Sequence, residues 1–177
     1  MTHRPIDHIR VVPHAFDRRR GLLVTTGAAF PCALGRSGPV WRKREGDGGT
    51  PVGTFGMVGA FYRADRMPRP RTSLPLRTLR PDDGWCDDPR DQRYNQWVRL
   101  PYPASHEEMW RGDHLYDVVV VLDYNLEYPV TGAGSAIFLH QARPGFAPTE
   151  GCVAVSPAAM RRLLPRLGPG TRLTVSL

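Results

Sequence analysis

Short runs of β-forming residues recur along the chain, and they constrain its fold more than any other feature. Most runs are bounded by Gly, Pro or Asn, a pattern typical of strands joined by turns. The 177 residues include 18 Gly and 18 Pro, so many turns are expected. We therefore predict a mainly β fold, with strands over residues 9–12, 22–26, 52–58, 96–100, 117–124, 136–140, 152–155 and 172–177.

One of these runs differs from the others because it is apolar throughout. Residues 118–122 are five consecutive Val or Leu residues, which is typical of a strand covered on both faces. Helical patterns are scarce. We predict helices over 104–110 and 157–167, the second with Ser156 as its cap and Pro157 in its first position.

The length of the chain fits one domain, and we predict a single catalytic domain over residues 1–177. Residues 1–20 are expected to be loosely ordered. Residues 63–91 are rich in Arg, Pro and Asp and have little periodicity. We expect this stretch to form a long excursion or flap over the sheet, where it can line a site.

The net charge of +7 comes almost entirely from arginine, since Lys43 is the sole lysine. Such a surface can attract polyanions but does not by itself identify a partner. No stretch approaches the roughly 20 apolar residues of a membrane span. Residues 1–21 contain no apolar run of the kind a signal peptide has, which leaves the route of export open.

The three cysteines, Cys32, Cys86 and Cys152, lack the C-x-x-C spacing of zinc ribbons and redox motifs. The histidines are also scattered, so we predict no metal site and no cofactor. We favour unbridged thiols at Cys32 and Cys86. A bridge between these two residues is the alternative if the protein is exported.

The segment most informative about chemistry is residues 135–156, in which an apolar strand ends in His140 and Gly151-Cys152 opens another strand. An imidazole near sulfur can lower the pKa of a thiol from about 8.5 and activate it as a nucleophile. Gly151 lets the backbone approach a substrate, so nearby amides can stabilise an oxyanion. The alternative is structural, since a lone cysteine in a strand often acts as a small buried hydrophobe.

Two motifs in this order resemble the L,D-transpeptidase (YkuD) family. Thr149-Glu150-Gly151-Cys152 is similar to its Ser/Thr-x-Gly-Cys element, which follows a strand-terminal histidine. Residues 46–55, GDGGTPVGTF, are similar to its T-P-x-G-x-F segment, although their local pattern indicates only a tight turn into a strand. The resemblance extends from about residue 24 to the C-terminus.

The resemblance implies a β-sandwich or partly closed barrel with a few short helices. It makes Cys152 the nucleophile and His140 the general base, supported by the Gly151 backbone and by Thr149. The implied reaction takes an acyl group from a peptidoglycan stem peptide as a thioester and transfers it to a diaminopimelate-type amine. It also implies a periplasmic or cell-envelope location, acylation by carbapenem β-lactams, and no bound cofactor.

The chain departs from the family pattern after the nucleophile, where Ala154 stands in place of an arginine. We expect Arg143 to replace that arginine in holding a stem-peptide carboxylate; the alternative is a solvated loop residue. Glu150 places a negative charge beside Cys152 and is expected to oppose the thiolate unless His140 is protonated. The cross-link type stays open between 3,3 linkage, 1,3 linkage and simple amide cleavage.

Four further residues lie at or near the ends of the strand predicted over 117–124. His114, Tyr116, Tyr124 and Asn125 are candidates for the lining of a cleft, and the alternative for them is a role in turns and rims. The pair Glu107-Glu108 is interpreted as a solvated helix face.

Two further functions compete with the transpeptidase hypothesis. The first is an amidase or L,D-carboxypeptidase with the same site, in which water takes the acyl group. The second is a binding module for an anionic polymer or nucleic acid, suggested by the arginines and by four interspersed tryptophans. No stacking motif or basic stripe supports the second alternative, so we expect no nucleic-acid partner.

Overall fold

The computed structural model describes residues 4–177, most of which form short strands joined by turns. The helical segments are α1 (Pro157–Leu163) and two 3-10 turns, Pro144–Phe146 and Leu164–Arg166. The strands are β1 (His8–Pro13), β2 (Arg20–Thr25), β3 (Ala28–Ala33), β4 (Pro39–Val40), β5 (Thr50–Pro51), β6 (Gly53–Tyr62), β7 (Leu76–Thr78), β8 (Asp83–Cys86), β9 (Trp97–Arg99), β10 (His106–Glu108), β11 (Val118–Leu122), β12 (Phe138–Gln141), β13 (Val153–Val155) and β14 (Arg172–Val175).

Eight strands close into a barrel-like sheet. Their order is β11-β12-β13-β3-β2-β1-β14-β6, and pairing of β6 with β11 closes the ring. Neighbouring strands are antiparallel except for the parallel pairs β1–β14 and β12–β13. β7 adds to β6 outside the ring. The mainly β, partly closed barrel implied by the family resemblance is therefore confirmed.

The barrel wall separates two hydrophobic cores. Along β11, Val118, Val120 and Leu122 belong to the inner core, whereas Val119 and Val121 belong to a second core outside the wall. This division follows from the alternation of side chains along a strand. The prediction that residues 118–122 are covered on both faces is confirmed.

A small three-stranded sheet, in the order β10-β8-β9, covers the outer core. The Trp85 ring packs edge-on against Phe138 of β12 at a centroid distance of 5.1 Å. Its indole N–H donates to Asn95 Oδ1, which also accepts the backbone N–H of Ala136. These bonds tie the small sheet to the loop that leads into β12. The predicted excursion over 63–91 therefore contributes β7 and β8 and continues into a folded layer.

The prediction of a helix over residues 104–110 is wrong. Residues 106–108 form β10, whose His106, Glu107 and Glu108 pair with Cys86, Trp85 and Gly84 of β8. Local helical preference is small, about 0.7 kcal/mol or less per residue, so pairing with a neighbouring strand outweighs it here.

The C-terminal helix is confirmed in type but is shorter than predicted. The Ser156 hydroxyl accepts the N–H of Ala159 at 3.1 Å and caps α1, as its position indicated. The α-helical part ends at Leu163 and continues as a 3-10 turn that contains Pro165. Proline has no backbone N–H to donate to the preceding turn, so the α-helical pattern stops near this residue.

At the other end of the chain, part of the segment predicted to be loosely ordered is folded. Residues 1–3 of that segment lie outside the described residues, whereas His8–Pro13 form β1 between β2 and β14. Cys32, Cys86 and Cys152 are all buried and unpaired, so the alternative bridge between Cys32 and Cys86 is not formed. Among residues 4–177, no helix has the length and apolar character to cross a bilayer.

The inner core should dominate stability. Leu173 of β14 is 0% exposed, whereas Leu22 of β2 is 47% exposed. We expect Leu173→Ala to lower the free energy of unfolding by about 2–5 kcal/mol, because it leaves a cavity. Leu22→Ala should change it by less than about 1 kcal/mol. Urea unfolding of both variants tests this difference, and equal losses would contradict the position of the core.

Candidate active site

A cavity of about 400 Å³ lies between the small sheet and the outer face of the barrel. Its lining contains both residues predicted to carry the chemistry, Cys152 and His140. Thr149, Glu150 and Arg143 also line it, together with Glu107, Arg111, Tyr116 and Ala154. The fold thus brings together residues from three separate stretches of the chain, 107–116, 140–143 and 149–154.

The parallel pairing of β12 with β13 places the two central residues. Leu139 pairs with Val153, and both side chains enter the inner core. His140 pairs with Ala154, so these two point to the opposite face of the wall. Cys152 immediately precedes β13 and packs in the outer core.

The turn before Cys152 is held by the Thr149 side chain. Its hydroxyl accepts the N–H of Gly151 at 3.1 Å and donates to the carbonyl of Cys152 at 2.7 Å. Because the Gly151 N–H is engaged here, it is not a free oxyanion donor. The backbone N–H of Cys152, by contrast, has no hydrogen-bond acceptor among residues 4–177.

Gly151 is required by its conformation and by its neighbours. Its φ of 141° is one that L side chains rarely adopt. A Cβ at this position would lie 2.8 Å from the carbonyl oxygen of Gly49. The segment over residues 46–55 thus contacts the turn before Cys152 through Gly49.

The segment around Gly49 is itself fixed by an Asx-type network. Asp47 accepts the N–H of Gly49 at 2.8 Å and the Nζ of Lys43 at 2.6 Å. The Lys43 side chain is 4% exposed, so the sole lysine of the chain is buried close behind Gly151. Nearby, the Thr50 hydroxyl accepts the N–H of Gly35 at 2.8 Å. The tight turn predicted for this segment therefore supports the turn that carries Cys152.

The Cys152 thiol is neutral in the free protein. Sγ donates to the carbonyl of Ala136 at 3.2 Å and accepts the N–H of Phe138 at 3.3 Å. Burial raises the pKa of the thiol to about 12, and the charge of Glu107 adds to this rise. The expectation that a neighbouring imidazole lowers this pKa is therefore wrong for the free protein, because desolvation disfavours the thiolate.

The His140 ring is neutral as well, and its tautomer is defined. Nδ1 lies 2.8 Å from the carbonyl oxygen of Gln141, which can only accept, so Nδ1 carries the proton. Nε2 is then the basic nitrogen. Burial lowers the pKa of His140 to about 4. Within residues 4–177 no hydrogen bond joins His140 to Cys152, although both line the cavity.

The charged residues predicted beside the nucleophile lie at the rim. Arg143 is exposed, lines the cavity and also lines an adjoining groove of about 1060 Å³. Its guanidinium makes no hydrogen bond or ion pair within the described part of the chain. Glu150 instead bonds to Arg36 at 2.9 Å, and the carboxylate that raises the pKa of Cys152 is Glu107.

Of the four other candidates, Tyr116 lines the cavity, whereas Tyr124, Asn125 and His114 do not. Tyr124 donates to the carbonyl of Ala133, and the Asn125 side chain bonds to Val130 and Gly134, so both organise the loop before β12. Neither lines the cavity. His114 lines the adjoining groove and bonds to Asp117 at 2.7 Å.

Sequence reasoning missed Glu107 as a site residue. Glu107 lies on β10 and faces the cavity, not a solvated helix surface. Its Oε1 accepts the hydroxyl of Tyr116 at 2.5 Å, and the Tyr116 ring packs edge-on against His140 at 5.2 Å. Burial raises the pKa of the Glu107 carboxyl. No local pattern marks this residue, since its exposure depends on how the small sheet packs.

Known structures that are similar to this one share little sequence with it. A search of curated protein sequences finds no match. An L,D-transpeptidase from Mycobacterium smegmatis is similar in structure, with 12% identity and a TM-score of 0.46, over 97% of this chain and 59% of that one. L,D-transpeptidase 1 of Mycobacterium tuberculosis has 12% identity and a TM-score of 0.38, over 95% and 61%.

This chain therefore spans less than two thirds of the length of these solved structures. The family model for the L,D-transpeptidase catalytic domain (YkuD) matches residues 17–175, which is most of the chain. The chain belongs to the L,D-transpeptidase catalytic domain family.

Proposed function

We propose that this protein is a peptidoglycan L,D-transpeptidase of the cell envelope, with Cys152 as nucleophile and His140 as general base. The observation that carries the proposal is the complementary protonation of the two groups within one cavity. The thiol keeps its proton, and the Nε2 of His140 is free to take it. Membership of the family supplies the class of reaction.

In the first step, an amide carbonyl of the donor stem peptide enters the cavity. Sγ leaves the Ala136 carbonyl and attacks the carbonyl carbon, while its proton passes to Nε2 of His140. Proton transfer during attack avoids a free thiolate, which this buried site disfavours. Collapse of the tetrahedral intermediate gives a thioester, and Nε2 returns the proton to the leaving amine.

The oxyanion of that intermediate needs a fixed hydrogen-bond donor. The N–H of Cys152 has no other acceptor among the described residues and is held by the Thr149 hydroxyl, which bonds to both flanking peptide groups. A donor fixed in this way needs no reorganisation as charge develops. We therefore assign the oxyanion contact to the Cys152 amide, with Thr149 and Gly151 as positioning residues.

In the second step, a diaminopimelate-type amine attacks the thioester. The amine loses a proton to Nε2 as its bond to carbon forms, and the departing sulfur takes this proton back. The product is a new amide between two stem peptides, and the enzyme regains its starting state. The cross-link type, 3,3 or 1,3, depends on which stem residue acts as donor.

Arg143 is proposed to bind a carboxylate of the donor. Its guanidinium is exposed and unpaired within the described residues, and it lies between the cavity and the adjoining groove. Ala154 lines the cavity beside His140, so no cationic side chain at that position competes with Arg143 for a donor carboxylate. A guanidinium can bind a carboxylate through two parallel hydrogen bonds.

The proposed chemistry predicts products that depend on both central residues. Incubation with soluble muropeptides should give dimers detectable by mass spectrometry. Cys152→Ala should abolish them, and His140→Gln should slow their formation by about 10²–10⁴-fold. Cys32→Ala, which removes a buried thiol outside the cavity, should keep the activity. Trimmed monomers without dimers would indicate a hydrolase, and products that persist in Cys152→Ala would refute the proposed nucleophile.

The neutral state of the pair predicts an unusual pH profile. Acylation of Cys152 by a carbapenem, followed by intact mass, should be nearly constant from about pH 5.5 to pH 8 because both groups keep their protonation states there. The rate should fall as the pH approaches the His140 pKa of about 4, since a protonated Nε2 cannot accept the thiol proton. A rate that rises tenfold per pH unit through neutrality would instead indicate attack by a pre-formed thiolate.

Loss of Arg143 should affect binding more than chemistry. We expect Arg143→Ala to raise KM for the donor muropeptide about tenfold, the effect of losing one charged hydrogen bond of roughly 1.4 kcal/mol. The value of kcat should change little. Arg10→Ala, an exposed arginine on β1 across the barrel, is the matched control. An equal KM for the wild type and Arg143→Ala would show that Arg143 does not bind the donor.

A further inference from the structure

The cavity has an acidic wall that the mechanism above leaves unused. Trp85 of β8 pairs with Glu107 of β10, and Asp87 lies two residues beyond Trp85. Side chains two residues apart along an extended chain share a face, so Asp87 and Glu107 both point toward the barrel. Both line the cavity that contains Cys152.

Asp87 differs from the other carboxylates around the cavity. Glu45 accepts the hydroxyl of Tyr94, Glu107 accepts that of Tyr116, and Glu150 is paired with Arg36. Oδ1 of Asp87, in contrast, is buried without a hydrogen-bond partner among residues 4–177. A buried acceptor left unpaired costs roughly 1–3 kcal/mol and indicates that a ligand supplies the missing donor.

A second buried atom in the same cavity lacks a partner. Ser135 is 7% exposed and lines the cavity, and its hydroxyl makes no hydrogen bond of ordinary geometry within the described residues, although it lies close enough to the Tyr94 hydroxyl to oppose the rise of that group's pKa. A hydroxyl can accept or donate, whereas a carboxylate oxygen can only accept. A ligand group that satisfies both atoms must therefore carry several N–H or O–H donors.

Glu107 provides a third acceptor with a different property. Its Oε1 accepts the hydroxyl of Tyr116, and the nearest cationic atom is Nη1 of Arg111 at 3.9 Å. Arg111 is instead bound in two-point fashion to Asp113. Burial, with the charge of Asp87 as a smaller contribution, raises the pKa of Glu107, so this carboxylate is a better proton acceptor than an exposed one.

We propose that Asp87, Glu107 and Ser135 form an ammonium-binding subsite for the acceptor amine. An alkylammonium carries three N–H donors and one positive charge, which match three acceptors and an acidic wall. No group of three His, Cys, Asp or Glu side chains within residues 4–177 is arranged to hold a metal ion. This inference rests on the proposed transferase activity and adds the group that selects its second substrate.

The subsite also solves a chemical problem, because an ammonium ion has no lone pair. The bound ammonium gives one proton to the Glu107 carboxylate and becomes a neutral amine. The lone pair then attacks the thioester carbon, a second proton moves to Nε2 of His140, and the departing sulfur takes it. Glu107 releases its proton to solvent after the product leaves, so the reaction balances as ammonium plus thioester to amide, thiol and a proton.

The test compares a charged acceptor with an uncharged one. Transfer from a muropeptide donor is measured by mass spectrometry with diaminopimelate and with hydroxylamine, which is largely uncharged at neutral pH. Asp87→Asn should raise KM for diaminopimelate about tenfold or more, with hydroxylamine transfer changed less than about twofold. Glu107→Gln should lower kcat for transfer to diaminopimelate, also by about tenfold or more. Glu108→Gln, which alters the exposed neighbour on the same strand, is the matched control.

The first half-reaction separates the possible failures. Carbapenem acylation of Cys152 should be unchanged in Asp87→Asn and unchanged or faster in Glu107→Gln, since that variant loses a charge that opposes the thiolate. Thermal melting of each variant checks folding.

If the wild type is acylated and transfers its acyl group, but Asp87→Asn changes transfer to diaminopimelate and to hydroxylamine equally, the subsite is refuted and the transferase activity stands. If acylated wild type transfers to no ammonium acceptor, the subsite is refuted in favour of hydrolysis; if Cys152 is never acylated, the proposed function fails as well.

Discussion

The parallel register of β12 with β13 is the constraint on which the site depends. Because side chains alternate along a strand, this register sends Leu139 and Val153 into the inner core and leaves His140 and Ala154 outside. A slip of one residue would reverse both sets. Such a slip would move Leu139 and Val153 into the outer core and the polar His140 side chain into the apolar inner core, at a cost of about 1–3 kcal/mol for the unpaired imidazole alone. Packing of the two cores thus fixes the position of the proposed catalytic pair.

Cys152 and His140 lie on the outer face of the barrel and would be exposed to water if the small sheet did not cover them. Trp85 packs on Phe138, and the Asn95 side chain joins this layer to the loop that ends at Ala136. The resulting burial shifts both pKa values toward neutral groups, the thiol upward and the imidazole downward. On the proposed mechanism, the covering layer therefore makes proton transfer accompany the attack of the thiol, while the barrel determines where Cys152 and His140 lie.

The sequence predicted the parts of the fold that have strong local patterns. The strand over 118–122 and the capped helix at Ser156 follow from apolar runs and capping chemistry, whereas β3 was missed because Pro31 and three alanines weaken its β pattern. His140 and Cys152 were identified because they lie near a glycine turn and match motifs of the L,D-transpeptidase family. Glu107 and Asp87 were not predicted, because they reach the cavity through the packing of one sheet on another. No spacing along the chain indicates that contact.

The barrel and the small sheet contribute different parts of the site. With the proposed subsite, the barrel carries the acylation chemistry and the small sheet binds the acceptor. The barrel supplies Cys152, His140 and the Thr149 turn, whose contacts with Gly49 tolerate little change. The small sheet supplies Asp87 and Glu107, which share no backbone hydrogen bond with β12 or β13. Substitutions in the small sheet can therefore alter the second substrate without moving the nucleophile. On this view the acceptor preference of this domain is determined by the small sheet and the residue after β8, because they line the cavity without forming the strands that carry Cys152 and His140.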